Sequence, residues 1–427
     1  MKVWHLDREY DAFIASVAGT RQRRKANVRD IVDRIKADVL ERGEEALREY
    51  AQKFDGWAGT YPLKVGVEEL ETAASSIGKE GMRILKGMIR NVTLFHRSQK
   101  LSRRTYKRKG LSVVEEAVPV ERALVYVPGG TAPYPSSLVM GAVPARIAGV
   151  KEVYAATPTR DGRINPYIAA AALLLEIRDV YRIGGAQAIY AFAFGIGRIP
   201  KVDLIVGPGN AYVEEAKRDV YGQVGIDMLA GPSELIVLAT QAFSPQILAW
   251  DLFSQAEHDE MATVGLFSPS QDDLYNLLKE MERLVSLNKR REIVEKSLAA
   301  NGFLVHYTSL DQAVEAINRI APEHLEVMGD EAVAEAVKFS GVTYVGPHTC
   351  VSMGDYYIGT NHVLPTGGAG RFSSGLSVER FTKKKVLVKI DRSFLGKYGE
   401  SAAKLAEIEG LYAHGEAIRA RKELSRE

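Results

Sequence analysis

The sequence is poor in the features that mark several large classes of protein. One cysteine, Cys350, stands in 427 residues; this excludes an internal disulfide framework and any cysteine-rich metal or iron–sulfur site, and fits a reducing, cytoplasmic setting. No uninterrupted apolar run is long enough to cross a bilayer, and the opening M-K-V-W-H-L-D-R-E-Y lacks the apolar core of a secretion signal. Neither sign of charge is in surplus: Lys+Arg number 56 against Asp+Glu 54, a formal net charge of +2. Without a long basic tract interleaved with aromatics, neither nucleic acid nor a membrane surface is an expected partner. The densest basic patches, residues 103–109 and 383–385, read as solvated faces. G-x-G-x-x-G, H-E-x-x-H and G-x-S-x-G are all missing. Their absence removes the usual dinucleotide fingerprint, the gluzincin peptidases and the elbow-type serine hydrolases.

What is present is an ordinary globular composition, 46% hydrophobic and 26% charged, in a chain long enough for two large lobes. Residues 1–20 read as a short arm. In residues 28–54 and 67–99 apolar side chains recur at helical spacing between charged ones (Ile31, Ile35, Val39, then Ile84, Met88, Val92). Such amphipathic helices need a partner surface to bury their stripe.

After residue 121 the period changes. Short apolar runs at 122–127, 152–156, 179–183, 203–206 and 234–239 alternate with helical segments at 136–148, 166–177, 186–194 and 211–221. A second series follows at 262–267, 302–307, 324–328 and 342–345. Strand and helix alternating in this way predict an α/β fold with parallel, doubly wound sheets. The expected organisation is two Rossmann-like lobes, one inserted in the other: an arm at 1–20, a lobe of 21–121 plus 235–378, an inserted lobe at 122–234, and a tail at 379–427. The tail offers a strand-like run (384–391) and a terminal helix (398–421), too little to fold alone.

Ligands of open parallel sheets bind outside the carboxyl ends of the strands, so loops that follow strands come first. V-P-G-G-T-A-P-Y-P-S-S (127–137), G-G-A-Q (184–187) and G-P-G-N (207–210) stand there. The last runs into a helix whose free N–H groups would suit a phosphate, although a plain turn and helix cap fit it equally. In G-I-D-M-L-A-G-P-S-E-L (225–235), Ser233 serves either to cap or to bind. The segment L-F-S-Q-A-E-H-D-E-M (252–261) places Gln255 and His258 three residues apart behind an apolar helical run. On a helix both face one way and can converge on one ion, while a solvated polar helix end is the plainer reading. Adjacent Glu323 and His324 at a helix-to-strand junction pair two proton carriers suited to proton removal and water activation. Asp355 lies in a glycine-flanked polar patch that continues into G-T-N-H-V-L-P, and carboxylate with imidazole suits zinc. Glu409 and His414, in E-G-L-Y-A-H, are five apart and do not share a helix face.

Taken together and in order, V-P-G-G-T-A-P-Y-P-S-S, G-P-G-N-A-Y-V, V-G-I-D-M-L-A-G-P-S-E, S-Q-A-E-H-D, A-P-E-H-L-E, G-D-Y-Y-I-G-T-N-H-V-L-P-T-G-G, F-S-S-G-L-S-V and E-G-L-Y-A-H resemble the histidinol dehydrogenase family over about residues 120–415. The resemblance implies one Zn2+ per subunit held by Gln255, His258, Asp355 and His414, and NAD contacts at Tyr126, Gln187 and Asn210. It implies contacts to L-histidinol from Ser233, Gln255, His258, His324, Asp355, Glu409 and His414, with Glu323 and His324 as the catalytic pair. It also implies a homodimer with shared active sites, the tail helix crossing to the partner. The implied reaction is the last step of histidine biosynthesis, histidinol through histidinaldehyde to histidine with two NAD. A dehydrogenase of the same superfamily acting on another alcohol, such as a hydroxy-sulfonate, is the alternative, and the intact Ser233, Glu409 and His414 patches favour the amino alcohol.

Overall fold

The computed structural model describes residues 1–23, 28–57, 61–129 and 132–423. The chain divides into two units, Met1–Gln99 with Val120–Phe381, and Lys100–Pro119 with Thr382–Glu427. Strand β1 (Lys2–His5) opens the first unit, and β2 (Arg104–Arg108) with β3 (Leu111–Pro119) belongs to the second. Back in the first unit come β4 (Arg122–Tyr126), β5 (Glu152–Ala156), β6 (Val180–Tyr181), β7 (Leu204–Val206) and β8 (Gly225–Ile226). These five pair in parallel in the order β6-β5-β4-β7-β8. Next are β9 (Glu234–Ala239), β10 (Thr263–Ser268), β11 (Phe303–His306), β12 (His324–Met328) and β13 (Val342–Val345). With β1 they form a second parallel sheet, β1-β11-β10-β9-β12-β13. In the second unit β14 (Thr382–Ile390) runs antiparallel to β3, giving β14-β3-β2.

Numbered within their own lobes, β4 to β8 and β9 to β13 both read 3-2-1-4-5, the order of a doubly wound fold, with β1 added at the edge of the second sheet. Both sheets are covered on both faces, which is why their strands are continuous apolar runs rather than alternating ones: every residue of β9 is buried, as are Ala123 to Tyr126. On one face of the five-stranded sheet, Val32, Ile35 and Val39 of helix Arg29–Arg42 join Leu124, Tyr126 and Ile189. On the other, Leu85, Met88 and Val92 of helix Gly78–Arg97 join Val125 and Leu138.

The two doubly wound lobes are present, and three local readings need correction. Residues 1–20 are no free arm: β1 is an edge strand paired with β11, and Phe13 sits in the core beside Phe267 and Phe303. The helices between residues 28 and 97, assigned from sequence to the 21–121 plus 235–378 lobe, pack instead on the five-stranded sheet, because that sheet presents the apolar faces their stripes require. The basic residues 103–109 lie largely within β2 and 383–385 within β14, and they are exposed there, the solvated faces expected of them; a strand exposed on both sides lacks the buried face that marks one in sequence. The predicted single terminal helix is two, Arg392–Ile408 and Tyr412–Glu423, because Gly410 (φ 76) takes the left-handed conformation that ends a helix.

Helix Pro135–Ala148 rides directly on β4: a Cβ at Gly141 would stand 2.5 Å from Val125 Cγ1. Gly141→Ala is expected to overpack this contact and lower stability by about 1–3 kcal/mol in urea unfolding, where an unchanged midpoint would refute the packing argument.

Candidate active site

The catalytic-type residues gather at the edge of the six-stranded sheet where β9 and β12 begin. Helix Leu310–Ile320 ends at Ala321, whose φ of 47 puts a non-glycine residue in the left-handed region. Pro322 follows, so the chain turns sharply and delivers Glu323 and then His324, the first residue of β12. Such backbone strain collects at functional sites. Glu323 Oε2 accepts a hydrogen bond from the Glu234 N–H at 2.9 Å, and its Oε1 lies 3.8 Å from His324 Nε2. Burial pushes the Glu323 carboxyl well above its usual range, helped by the charges of Glu234 and Asp355, with the Glu234 N–H working against the rise. His324 is pushed down to about 3, first by burial and then by His258 and His362. It is therefore neutral at working pH and able to take a proton. The Tyr344 ring stacks beside it at 6.0 Å, and His324 Nδ1 is buried without a hydrogen-bond partner.

Gln255 and His258 come from helix Pro245–Ala256 and the turn beyond it. His258 does not share the helix, as its spacing suggests: the helix stops at Ala256, and the His258 N–H closes a turn onto Gln255 O at 3.2 Å. Asp355, in the last turn of helix Val351–Tyr356, is raised to about 7 by burial, an effect partly offset by the neighbouring Gln255 amide. His258 is lowered, mainly by burial. Sequence reasoning quoted His362 in its motif and assigned it no role. The structure puts its Nδ1 3.0 Å from Asp355 O and its Nε2 3.5 Å from Ser137 Oγ. A carbonyl can only accept, so Nδ1 carries the proton and Nε2 is left to receive the Ser137 hydroxyl. Tyr344 and Glu234 were also missed, since one is an ordinary strand aromatic and the other acts through its backbone.

Ser137 belongs to the helix after β4, so the carboxyl end of the five-stranded sheet meets the amino end of the six-stranded one here. A cleft of about 470 Å³ lies between, with Met88, Tyr134 and Tyr167 on one wall and His258, Asp355 and Tyr356 on the other. Ser233 lies at the same edge, one residue before the Glu234 amide that holds Glu323.

On the five-stranded sheet, the loops after β4, β6 and β7 converge. Tyr126 is buried, and its hydroxyl accepts from the Gly185 N–H at 3.0 Å, two residues from buried Gln187. Burial first, and Asp55 after it, push Tyr126 up to about 12. Asn210 caps its own helix: its Oδ1 accepts from the N–H groups of Tyr212 (3.1 Å) and Val213 (3.2 Å). Two amides that the sequence reading offered to a phosphate are thus already engaged. Gly130 and Thr131 of the 127–137 motif lie outside the described residues. Glu409 and His414 belong to the second unit, and both are exposed there.

Among the described residues no three His, Cys, Asp or Glu side chains form a metal-holding group. The candidate set in the first unit would not register as one, since it supplies one histidine and one carboxylate, and the third member is an amide. The residues nonetheless fit a cation. Asp355 pays a burial penalty that a positive charge would relieve. The Gln255 amide lies against the Asp355 carboxyl, and the same amide turned over would present its oxygen to a cation. Neutral imidazole and carboxylate are zinc donors.

Fold and cleft together define an α/β protein of two doubly wound lobes, with an imidazole and a carboxyl group, His258 and Asp355, lining the cleft between them. The family model for histidinol dehydrogenase matches residues 19–422. Histidinol dehydrogenase of Chlorobaculum tepidum is 41% identical over 394 residues, covering 91% of this chain and 92% of its own. That of Pseudomonas savastanoi pv. phaseolicola is 44% identical, with 90% and 87% covered. The crystal structure of histidinol dehydrogenase from Elizabethkingia anophelis superposes with a TM-score of 0.89 at 34% identity, covering 94% of this chain and 93% of that one. The chain belongs to the histidinol dehydrogenase family and is an oxidoreductase of that kind.

Because Asp355 titrates near 7 when folded and near 3.8 when unfolded, the unfolded state loses its proton first and folding weakens as pH rises from about 4 to about 7. In chelator-treated protein, Asp355→Asn is expected to remove part of this decline. The gain at pH 8 over pH 5 would be about 1–2 kcal/mol by urea titration, since the carboxyl keeps some solvent contact. Equal pH dependence in both proteins would show that Asp355 carries no burial penalty.

Proposed function

We propose that this protein oxidises L-histidinol through L-histidinaldehyde to L-histidine with two NAD, as the last step of histidine biosynthesis, in a cytoplasmic homodimer carrying one Zn2+ per subunit. The observation that carries this reading is the gathering of Gln255, His258 and Asp355 beside Glu323 and His324, with the Gln255 amide against Asp355, Asp355 acting on Glu323 and His258 on His324; His258 and Asp355 also line the cleft between the two doubly wound lobes. Alcohol to acid is a four-electron change and a hydride carries two, so two NAD are needed. When bound, zinc would orient the imidazole and amine of the substrate, held by Gln255, His258, Asp355 and the partner-directed His414, while NAD accepts one hydride in each half-reaction. Ser233 and Glu409 would complete the substrate contacts, and Tyr126, Gln187 and Asn210 would hold NAD.

The chain's own groups account for the proton traffic. Neutral His324 takes the alcohol proton in the first half-reaction, its ring supported by Tyr344. Glu323, held by the Glu234 N–H, takes a proton from the water that attacks the aldehyde carbon. Burial disfavours the Glu323 anion, which makes it a stronger base than an exposed carboxylate once ionised. His324 assists again in the second half-reaction.

Purified protein supplied with zinc is expected to form two NADH per L-histidinol, with activity lost on chelation and restored by zinc; NADH formed only with other alcohols, such as hydroxy-sulfonates, would replace the substrate. Oxidation of the aldehyde is expected to fall as pH drops through a midpoint above 4.5, the ordinary carboxyl value, because the base must be ionised. Glu323→Gln should remove that limb and lower the rate by about 10²–10⁴-fold; an unchanged limb would assign the titration to another group.

A further inference from the structure

Beneath the loop that follows β7 lies an ion pair that the reaction does not use. Lys217, on helix Ala211–Val220, and Asp227, just past β8, are 1% and 0% exposed and salt-bridged to each other. Both are spent on Gly207. Lys217 Nζ donates to Gly207 O at 2.9 Å, while the Gly207 N–H donates to Asp227 Oδ2 at 2.7 Å. Asp227 Oδ1 also accepts from the Met228 N–H at 2.7 Å. Gly207 itself has φ 119, and a Cβ there would strike the carbonyl oxygen of Tyr126. One residue thus has both backbone groups gripped by buried charges while it lies flat against the end of β4. The carboxyl ends of β4, β7 and β8, neighbours in the sheet, are joined at that point.

Two buried charges are an expensive way to secure one turn. Apolar residues of similar volume would hold the helix against the sheet at least as well, so a buried pair of this kind is better explained by geometry it fixes than by stability it adds. What it fixes is the position of the residues between Gly207 and the helix cap Asn210, relative to Tyr126. We propose that Lys217 and Asp227 are positioning residues for the dinucleotide: they hold the 207–210 loop in its binding conformation before NAD arrives, so that little ordering is left to accompany binding. This rests on the reading of Tyr126, Gln187 and Asn210 as the NAD contacts.

The test is the double variant Lys217→Met with Asp227→Asn, which removes both charges together and avoids leaving one buried alone. In zinc-loaded protein the Kd and KM for NAD are expected to rise about tenfold, equivalent to ~1.4 kcal/mol. The kcat at saturating NAD, the KM for L-histidinol and the melting temperature should stay close to those of the unaltered protein. A role confined to stability would lower the melting temperature and leave the KM for NAD alone, and that result overturns the proposal. Should the double variant not fold, amide hydrogen exchange on the unaltered protein decides. Gly207 and Met228 N–H groups that exchange slowly without NAD support a loop already set, whereas fast exchange that slows only on adding NAD overturns it. If the unaltered protein binds no NAD, the assignment of the NAD contacts fails and this inference with it; if it binds NAD and the double variant binds equally well, this inference alone fails.

Discussion

The site depends on desolvation more than on any single contact. At the edge where β9 and β12 begin, one carboxyl group, one imidazole and a second carboxyl nearby are enclosed without lysine or arginine among the causes that set their protonation. Among the described residues, the one hydrogen bond to the Glu323 carboxyl comes from a backbone N–H. Burial therefore pushes acids up and histidines down, which reverses their ordinary order: Asp355 rises to about 7 while His324 falls to about 3. The imidazole then stands neutral beside carboxyl groups whose charge is disfavoured, and a cation arriving there meets groups that gain by its arrival. The same enclosure explains why the chain turns so tightly at Ala321: a looser turn would leave Glu323 and His324 open to water.

The architecture was largely legible in the sequence, and for one reason. Sheets covered on both faces need uninterrupted apolar strands, and runs such as 123–126 and 235–239 meet that need. The ribbon of β2, β3 and β14 has no buried face to impose alternation, so the run at 384–391 read as a strand while the charged residues of β2 read only as the solvated surface they are. Residues 28–97 were read correctly as amphipathic helices, but a stripe does not say which sheet it covers. Helix ends fared in a similar way: Gly410 carried a stop signal that the surrounding helix formers masked.

The candidate site was legible in part and for a different reason. Glu323, His324, Gln255, His258 and Asp355 are polar groups set in apolar or glycine-rich surroundings, and that contrast is visible along the chain. His362 was visible too, yet nothing in its neighbours indicates that its ring bridges the Asp355 carbonyl and the Ser137 hydroxyl, since those partners come from far apart in sequence. Glu234 and Gly207 act through their backbones, which sequence does not mark. The rule that ligands sit at the carboxyl ends of parallel strands picked out the loops that hold Gln187 and Asn210, and the family resemblance named those two residues and Tyr126; Glu323, His324 and Ser233 lie at the opposite end of their own sheet.

That inversion has an implication for how such a protein arises. The two lobes share one winding order over five strands, as copies of an ancestral unit would, yet the candidate residues of one lie at its conventional rim and those of the other at the reverse. A copied lobe docked face to face with its parent in the same sense would have offered two similar cofactor rims and no place for acids and imidazoles to converge. Docked the other way round, the duplicate is free of its inherited ligand and can evolve new chemistry while the parent keeps the old task.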